Sequence, residues 1–226
     1  MTNSIDAIIL TTARHSENPM ITLYHLDNSR SERIVWLLEE LALPYEMQTF
    51  LREKGAAPAA MQNIHPIGTA PLLRDGELVI MESGAIIEYI INRYSNGRLI
   101  PASSSADYVL YLEWLHFAEG ALMSNLLRSF IVSMVAKDSP MVQMGAARNT
   151  RMFTLIDQHL SKRGYFAGDE FTASDIMIEF CFSFLQRFAK QNIDSYTNIA
   201  AWLQTVRARP AYQRMTAVAG PKVQFG

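Results

Sequence analysis

The sequence has little of several things, and each shortage excludes a class of protein. It contains one cysteine, Cys181, which excludes an intramolecular disulfide framework and suits a reducing compartment. The apolar surroundings of that residue predict a buried structural side chain. Basic and acidic residues nearly balance, at 20 and 22, without a basic stripe, so nucleic acid is not an expected partner. No apolar run approaches the ~18 residues of a membrane span, so no membrane contact is expected.

The sequence is rich in apolar residues. Hydrophobic residues make up 49% of it and charged residues 19%, which predicts a buried core and excludes disorder. A length of 226 residues fits one large domain or two small ones. Residues 1–19 are predicted to be an extension ahead of the first domain. Their apolar run, Ala7–Leu10, is too short for a secretion signal, and the first strand pattern begins at Met20.

The first half alternates between strand and helix patterns. β-Branched and aromatic residues predict a strand over Met20–His25 and a second strand over Tyr45–Leu51. Between them, ERIVWLLEELAL has the apolar spacing of a helix that begins near Glu32 and ends before Pro44. A strand, a helix and a strand in this order predict a βαβ unit with parallel strands.

The stretch Ile64–Tyr89 combines a stiff turn, a hairpin and a helix start. Ala70-Pro71 lacks an amide donor and is a candidate for a cis peptide bond. Asp75-Gly76 predicts a two-residue hairpin between two short strands. Ser83 is placed to cap the following helix, whose first amides favour an anion. A bent strand edge and an anion-binding helix start are therefore expected to face the same space.

The second half shows helix patterns, and residues 95–106, rich in Ser, Gly and Pro, are predicted to be a linker. Helices are predicted over Asp107–Val135, Ala146–Arg163, Ile176–Lys190 and Ile199–Arg209. The third of these is apolar all round, which predicts a buried central helix. Thr172 and Asp175 form a capping box ahead of it.

Two of these patterns resemble the cytosolic glutathione S-transferase family. A proline, a short hairpin and Glu82-Ser83, eleven residues after Pro71, are similar to its glutathione-binding half. GYFAGDEFTASDIMI resembles the folding box of its helical domain. Within this family, a theta-related microbial branch is the most similar to two stretches of the sequence, NSRSERIVWLLEELALPYE and IHPIGTAPLL.

The resemblance implies an α/β domain followed by an all-α domain. Residues 20–94 would form a thioredoxin-like domain, residues 95–106 a linker, and residues 107–226 an all-helical domain. It also implies a cytoplasmic homodimer that uses glutathione as co-substrate and no metal.

The resemblance also implies which residues hold glutathione. Ala70, next to Pro71, would offer its backbone to the cysteinyl part of the tripeptide. Glu82 and Ser83 would hold the γ-glutamyl end, which is remote from the reacting sulfur.

Basic side chains are expected near glutathione because the tripeptide is anionic. The candidates are Arg30, Lys54 and His65. Lys54 would replace the basic residue that theta-like proteins carry at the position of Thr69. His65 either braces its loop or contacts the glycyl carboxylate, and solvation at the surface accounts for Arg52 by default.

The catalytic position is expected in the loop Asp27–Ser31, where the family places a Tyr, Ser or Cys. A free thiol has a pKa of ~8.5, so hydrogen-bond donors that stabilise the thiolate increase the nucleophile present at pH 7. Alignment on the strand LYH assigns this role to Ser29, and alignment on the helix assigns it to Asn28. Tyr24 is a weaker candidate. Helix capping is an equal explanation for Asn28, Ser29 and Ser31, each taken singly.

An apolar electrophile is expected to bind between the two domains, against the first long helix. The candidate walls are Tyr111, Trp114, His116, Phe117, Met123 and Leu127. An aromatic stripe at helical spacing is also what a packed core shows, and a structural role is the alternative for the histidine.

The resemblance implies a detoxification enzyme that conjugates the glutathione thiolate to small, mostly apolar electrophiles. Two alternatives stay open. One is a glutathione-dependent reductase of disulfides or peroxides, in which the same thiolate attacks sulfur or oxygen. The other is a non-catalytic binding protein of the same fold.

Overall fold

A computed structural model describes residues 9–12 and 21–220 of the chain. It divides into two compact units, which we call the sheet unit (Met1–Asn96 with Pro210–Gly226) and the helical unit (Gly97–Arg209). The described part of the sheet unit combines strands with helices, whereas that of the helical unit consists of helices and loops. This confirms the predicted fold class of an α/β domain followed by helices.

The sheet is mixed. Its described strands are β1 (Ile9–Thr12), β2 (Ile21–Leu26), β3 (Tyr45–Phe50), β4 (Leu72–Asp75) and β5 (Leu78–Met81), in the order β1-β3-β2-β4-β5. β2 and β3 are parallel and are connected by α1 (Ser31–Leu41), which confirms the predicted βαβ unit. β4 and β5 form the predicted antiparallel hairpin, after which α2 (Ser83–Tyr94) begins.

The strand β1 lies within the segment that the sequence predicts to be an extension. It pairs antiparallel with β3, with Ile9 opposite Thr49 and Thr12 opposite Glu46. The other residues of 1–20 lie outside the described part of the chain. A parallel βαβ unit leaves one edge of β3 with unpaired backbone groups, and an added strand satisfies them. A four-residue strand is too short to be recognised from the pattern of its side chains.

Removal of residues 1–19 is expected to lower the melting temperature without changing the Michaelis constant for glutathione. β1 pairs with β3 only, at the opposite edge of the sheet from β4 and β5, so its loss exposes one strand edge. The measurement is thermal unfolding and glutathione kinetics of a chain that begins at Met20. A loss of glutathione affinity in that chain would show that the segment supports the binding site.

The last described helix, α8 (Pro210–Ala219), belongs to the sheet unit. The edge of the Tyr212 ring meets the Trp36 ring of α1 at a centroid distance of 4.9 Å, and Arg214 Nε lies 2.7 Å from Glu39 Oε2. The sequence predicts one helical domain over residues 107–226, whereas α8 packs within the sheet unit. An amphipathic pattern shows that a helix has an apolar face but not which surface will bury it.

The helical unit contains five helices in its described residues. They are α3 (Ala106–Phe117), α4 (Ser124–Val135), α5 (Pro140–Leu160), α6 (Ala173–Phe184) and α7 (Thr197–Arg207). A π-helical turn over Ala118–Met123 joins α3 to α4, which accounts for the single long helix predicted there. α5 begins six residues before the predicted Ala146, because Ser139 caps it and Pro140 occupies its first turn. None of the described helices is long and apolar enough to cross a bilayer.

The predicted central helix α6 is buried on every side and begins with the predicted capping box. Asp175 Oδ2 accepts a hydrogen bond from the Thr172 N–H at 2.9 Å, and the Thr172 side chain accepts one from the Asp175 backbone. Asp175 Oδ1 also accepts from Trp202 Nε1 at 3.0 Å, so the box extends to α7. Burial raises the pKa of Asp175 to about 6.

Thr172→Ala is expected to lower the free energy of unfolding by about 0.5–2 kcal/mol without changing substrate preference. Asp175→Ala is expected to cost more, because the Trp202 indole and the Phe166 amide lose their acceptor as well. Urea unfolding of both variants, with kinetics on two electrophiles, measures the two effects. Unchanged stability in both variants would show that the box contributes nothing.

Candidate functional site

Four loops meet at one edge of the sheet. β2 and β3 are parallel and end together, with Leu26 opposite Phe50. β4 begins at Leu72, which lies opposite Tyr24 near the end of β2, and β5 ends at Met81, which also lies opposite Leu72. The loops after β2, after β3, before β4 and after β5 therefore lie side by side. Most of the predicted glutathione-binding residues stand in these loops.

The loop after β2 is held by Arg52, which stands in the loop after β3. Arg52 Nε donates to the Asp27 carbonyl at 3.1 Å, and Nη2 donates to the Asn28 carbonyl at 2.9 Å. A third bond runs from Nη1 to the Gly55 carbonyl at 3.0 Å. Asn28 has a left-handed backbone with φ 53°, which an asparagine tolerates better than most residues. The expectation of a merely solvated Arg52 is wrong, because its guanidinium joins two loops of the site.

Ser29 and Asn28, the two candidates for the thiol, differ in their partners. The Asn28 Nδ2 donates to Asp27 Oδ2 at 2.9 Å. The Ser29 Oγ accepts the Ser31 N–H at 3.2 Å and lies 2.7 Å from the Ser31 Oγ. Capping of the first turn thus accounts for part of the role of Ser29. Tyr24 is buried, and its hydroxyl accepts a hydrogen bond from Arg74 Nε at 2.8 Å.

The loop before β4 contains the predicted cis peptide bond, between Ala70 and Pro71. Ala70 is half-buried beside the apolar cluster that includes Leu72, whereas Pro71 is buried. A cis bond at this position is what the resemblance implies for the residue that would offer its backbone to glutathione.

The loop after β5 contains an unusual backbone conformation at Glu82, with φ 69° and ψ 122°. A non-glycine residue in this region costs on the order of 1–3 kcal/mol, and such residues concentrate at binding sites. Glu82 is also the N-cap residue of α2, a position that the sequence assigns to Ser83. The prediction of the cap is therefore wrong by one residue. The Glu82 side chain is exposed and makes no capping hydrogen bond.

Ser83, the first residue of α2, is buried and contacts a buried arginine. Arg33 Nη1 on α1 donates to the Ser83 Oγ at 3.2 Å. Because the arginine occupies an acceptor site of the hydroxyl, the hydroxyl proton is directed to another acceptor. A positive charge and a helix N-terminus then stand behind the same hydroxyl, an arrangement that favours a carboxylate.

A carboxylate anchors α2 to the hairpin. Asp75 Oδ2 at the end of β4 accepts a hydrogen bond from the Tyr89 hydroxyl at 2.7 Å and one from the Tyr94 hydroxyl. Burial raises the pKa of Tyr89 to about 12, so this phenol stays a donor at neutral pH. These bonds fix the direction of α2, and with it the position of Ser83.

The three basic candidates occupy different environments. Arg30 is half-buried at the N-cap of α1, and Lys54 is exposed in a tight turn with φ 50°. The Nδ1 of His65 accepts the Ile67 N–H at 3.2 Å, which supports the loop-bracing role. Since Nδ1 is an acceptor, the neutral ring carries its proton on Nε2, where it can still donate to a carboxylate.

The electrophile candidates divide by burial within the helical unit. Tyr111, Trp114 and Met123 are buried, Phe117 and Leu127 are half-buried, and His116 is exposed. The Trp114 ring lies 4.9 Å from the Phe166 ring and 4.7 Å from the His159 ring, so it is part of an aromatic core. This packing favours the structural alternative for Trp114. In residues 9–12 and 21–220, no group of His, Cys, Asp and Glu is arranged to hold a metal.

Replacement of Arg52 by methionine is expected to raise the Michaelis constant for glutathione and, by less than one unit, the pKa of the bound thiol. Methionine keeps the apolar stem but removes the two hydrogen bonds that hold the loop of Asn28, together with the bond to the Gly55 carbonyl. Arg52→Lys, which keeps the charge but not the fork of donors, is expected to have an intermediate effect. If both constants stay at the parent values in Arg52→Met, the loop does not depend on this side chain.

Two comparisons with known proteins agree with this geometry. Residues 23–98 match the model of the glutathione S-transferase N-terminal domain, and residues 120–210 match that of the C-terminal domain. Glutathione S-transferase 3 of Schizosaccharomyces pombe is 34% identical over 207 residues, which cover 85% of each chain. Glutathione S-transferase GstB of Escherichia coli K12 is 31% identical over 88% of this chain and 99% of its own.

Solved structures show the same fold. A glutathione S-transferase from Actinobacillus pleuropneumoniae has a TM-score of 0.82 at 31% identity, with 89% of this chain and 94% of that chain covered. A family member from Pseudomonas fluorescens, solved with two glutathione molecules bound, has a TM-score of 0.76 at 23% identity, which shows the fold alone. On its domains, its relatives and its fold, the chain belongs to the glutathione S-transferase family.

Proposed function

We propose that this glutathione transferase conjugates glutathione to small, mostly apolar electrophiles, and that Ser29 stabilises the attacking thiolate. The observation that carries the proposal is the placement of Ser29 at the sheet edge where the cis Pro71 and the start of α2 also lie. The sulfur forms a bond to an electrophilic carbon while the leaving group departs, and the thiol proton goes to solvent. A hydroxyl that donates to the sulfur favours the thiolate over the thiol.

The other contacts orient the tripeptide along the sheet edge. Ala70 offers its backbone to the cysteinyl part, and Glu82 and Ser83 hold the charged γ-glutamyl end. Arg33 supports this assignment, since it supplies positive charge directly behind the Ser83 hydroxyl. Lys54 and the Nε2–H of His65 are the proposed partners of the glycyl carboxylate, with Arg30 as a further cation near the sulfur.

The electrophile is proposed to contact side chains of α3 and α4. Exposure supports His116, Phe117 and Leu127 for direct contact. Tyr111, Trp114 and Met123 are proposed to shape this surface from beneath it. Flexible and aromatic side chains accommodate varied apolar ligands, which suits a detoxification enzyme.

The test is a comparison of three reactions at equal glutathione concentration: conjugation of a chloronitroarene, reduction of an organic peroxide and reduction of a mixed disulfide. We expect conjugation to have the highest kcat/KM. A dominant peroxide or disulfide activity would make the protein a glutathione-dependent reductase. If calorimetry shows glutathione binding and all three assays are silent, the protein is a binding protein.

We also infer that the protein works in the cytoplasm as a homodimer of the theta-related branch. A single buried cysteine suits a reducing compartment, and Ser29, which follows β2, suits that branch. The proposed dimer interface uses exposed apolar side chains of α4 and α5, namely Ile131, Met134, Val135, Met141 and Met144.

Sedimentation of the parent and of a Met134→Lys variant tests the dimer, which is expected to weaken in the variant. A monomeric parent would contradict it.

A further inference from the structure

A chain of three polar side chains ends at the hydroxyl of Ser29. It begins at His25 on β2, whose Nδ1 lies 2.8 Å from the Ser31 Oγ, and that oxygen lies 2.7 Å from the Ser29 Oγ. His25 and Ser31 are fully buried at 0% exposure, and Ser29 is 7% exposed. Both distances are those of ordinary hydrogen bonds, so each contact has one donor and one acceptor.

The Ser31 hydroxyl has one proton and two lone pairs, but four groups lie within hydrogen-bond distance of it: His25 Nδ1, the Ser29 Oγ, and the N–H and carbonyl of Leu26. The Leu26 N–H donates to it at 3.2 Å and takes one lone pair, while the Leu26 carbonyl is a distant alternative acceptor at 3.3 Å. The two short contacts, to His25 and to Ser29, compete for the proton and the remaining lone pair. Their direction therefore depends on whether His25 Nδ1 carries a proton.

If His25 Nδ1 carried no proton, the hydrogen bonds would run from Ser29 to Ser31 and from Ser31 to His25. Ser31 would donate to His25, and the 2.7 Å contact would then require Ser29 to donate to Ser31. The only proton of the Ser29 hydroxyl would be used inside the protein. Ser29 would present lone pairs to its ligand, and a thiolate would be repelled.

If His25 Nδ1 carries a proton, the hydrogen bonds run in the opposite direction, from His25 to Ser31 and from Ser31 to Ser29. His25 donates to Ser31, both lone pairs of Ser31 are then occupied, and Ser31 donates to Ser29. The Ser29 Oγ also accepts the Ser31 N–H at 3.2 Å, so both of its lone pairs are occupied as well. Its own proton then points away from Ser31, toward the ligand.

We propose that His25 is held in its Nδ1–H form and, through Ser31, makes the Ser29 hydroxyl a fixed donor to an anionic sulfur ligand. His25 and Ser31 are positioning residues in this arrangement, because neither contacts the ligand. The inference rests on the proposed function, in which Ser29 faces the glutathione sulfur. It gives roles to His25 and Ser31, which the sequence places in the strand and the loop of the site without a function of their own.

The experiment compares two substitutions of His25 in the full-length protein. Asparagine places an amide N–H close to the position of Nδ1, whereas leucine fills a similar space without a donor. The pKa of the bound glutathione thiol, read from thiolate absorbance, is expected to stay within about 0.3 units of the parent in His25→Asn and to rise by about one unit in His25→Leu. Equal pKa values in the parent, His25→Asn and His25→Leu would overturn the proposal.

A combined variant separates a positioning role from general damage. If His25 acts only through Ser29, His25→Leu is expected to add nothing to the thiol pKa when Ser29 is already alanine. A further rise in the double variant would overturn the proposal. If Ser29→Ala alone leaves the thiol pKa unchanged, the proposed role of Ser29 is wrong, and the proposed role of His25, which depends on it, is wrong as well.

A spectroscopic measurement on the parent protein does not depend on any variant being stable. Nitrogen-15 NMR of labelled histidine shows which ring nitrogen of neutral His25 carries the proton, and loss of the signal in His25→Asn assigns it. The Nδ1–H tautomer is the expected result. The Nε2–H tautomer would overturn the proposal.

Discussion

Replacement of Ser29 by alanine is expected to raise the pKa of the bound glutathione thiol by about one to two units, or about 1.4–2.7 kcal/mol of differential stabilisation. In the proposed site, the Ser29 hydroxyl donates a hydrogen bond to the sulfur, and this bond stabilises the thiolate more than the neutral thiol. Glutathione affinity is expected to change little, because the proposed contacts of Glu82 and Ser83 with the other end of the tripeptide remain. At pH 7 the conjugation rate should fall with the thiolate fraction.

The measurement is the ultraviolet absorbance of the thiolate in the binary complex as a function of pH. Asn28→Ala is the matched control, since it removes a polar side chain one residue earlier whose amide donates to Asp27. We expect a smaller rise there. A raised pKa in Asn28→Ala alone would transfer the role to the amide and favour the reductase. No change in either variant would leave backbone donors or Arg30 as the stabilising groups.

Ser83→Ala is expected to raise the Michaelis constant for glutathione by about 10- to 100-fold, with little effect on that for the electrophile. A hydrogen bond to a charged group is worth about 1.5–3 kcal/mol, and the proposed partner of Ser83 is the γ-glutamyl carboxylate. The buried Arg33 strengthens the donor by occupying an acceptor site of the same hydroxyl. Glu82→Ala is expected to act in the same direction, because its carboxylate is exposed at the same helix start.

Ser95 offers a matched control at the other end of α2. It is buried like Ser83, but its Oγ has no hydrogen-bond partner among the described residues. Ser95→Ala is therefore expected to leave both Michaelis constants unchanged. Equal increases for glutathione and for the electrophile in Ser83→Ala would indicate general damage to the fold instead of a lost contact.

The features predicted correctly from the sequence are those with local causes. The parallel pair β2 and β3 follows from two strand patterns around one amphipathic helix, and the hairpin follows from Asp75-Gly76. The cis bond before Pro71 and the capping box of Thr172 and Asp175 each depend on residues within a few positions of one another. Propensity, spacing and turn chemistry suffice for such features.

Several features that the sequence does not predict are contacts between distant residues. Arg52 is expected to be a solvated side chain, yet it bonds to Asn28, 24 positions away. Arg33 has no role in the sequence analysis, yet it bonds to Ser83, 50 positions away. The helix α8 returns to α1, and Arg214 meets Glu39 across 175 positions. A local sequence pattern does not predict whether such a helix will pack on the sheet unit or on the other helices.

The sequence by itself determined the family, the order of the elements from β2 to α7 and the loops of the candidate site, because each depends on neighbouring residues. The tertiary structure alone decided how the site is supported. Pairing of β2 with β4 and of β4 with β5 brings Ser29, Pro71 and Ser83 to one edge of the sheet. Ser83 and Ser29 are buried there, so their hydroxyls bond to Arg33 and Ser31 instead of solvent, while the partly buried Arg52 joins two of the loops. Such pairings form only when the chain is folded, since the residues that they join are close in space but distant in the sequence.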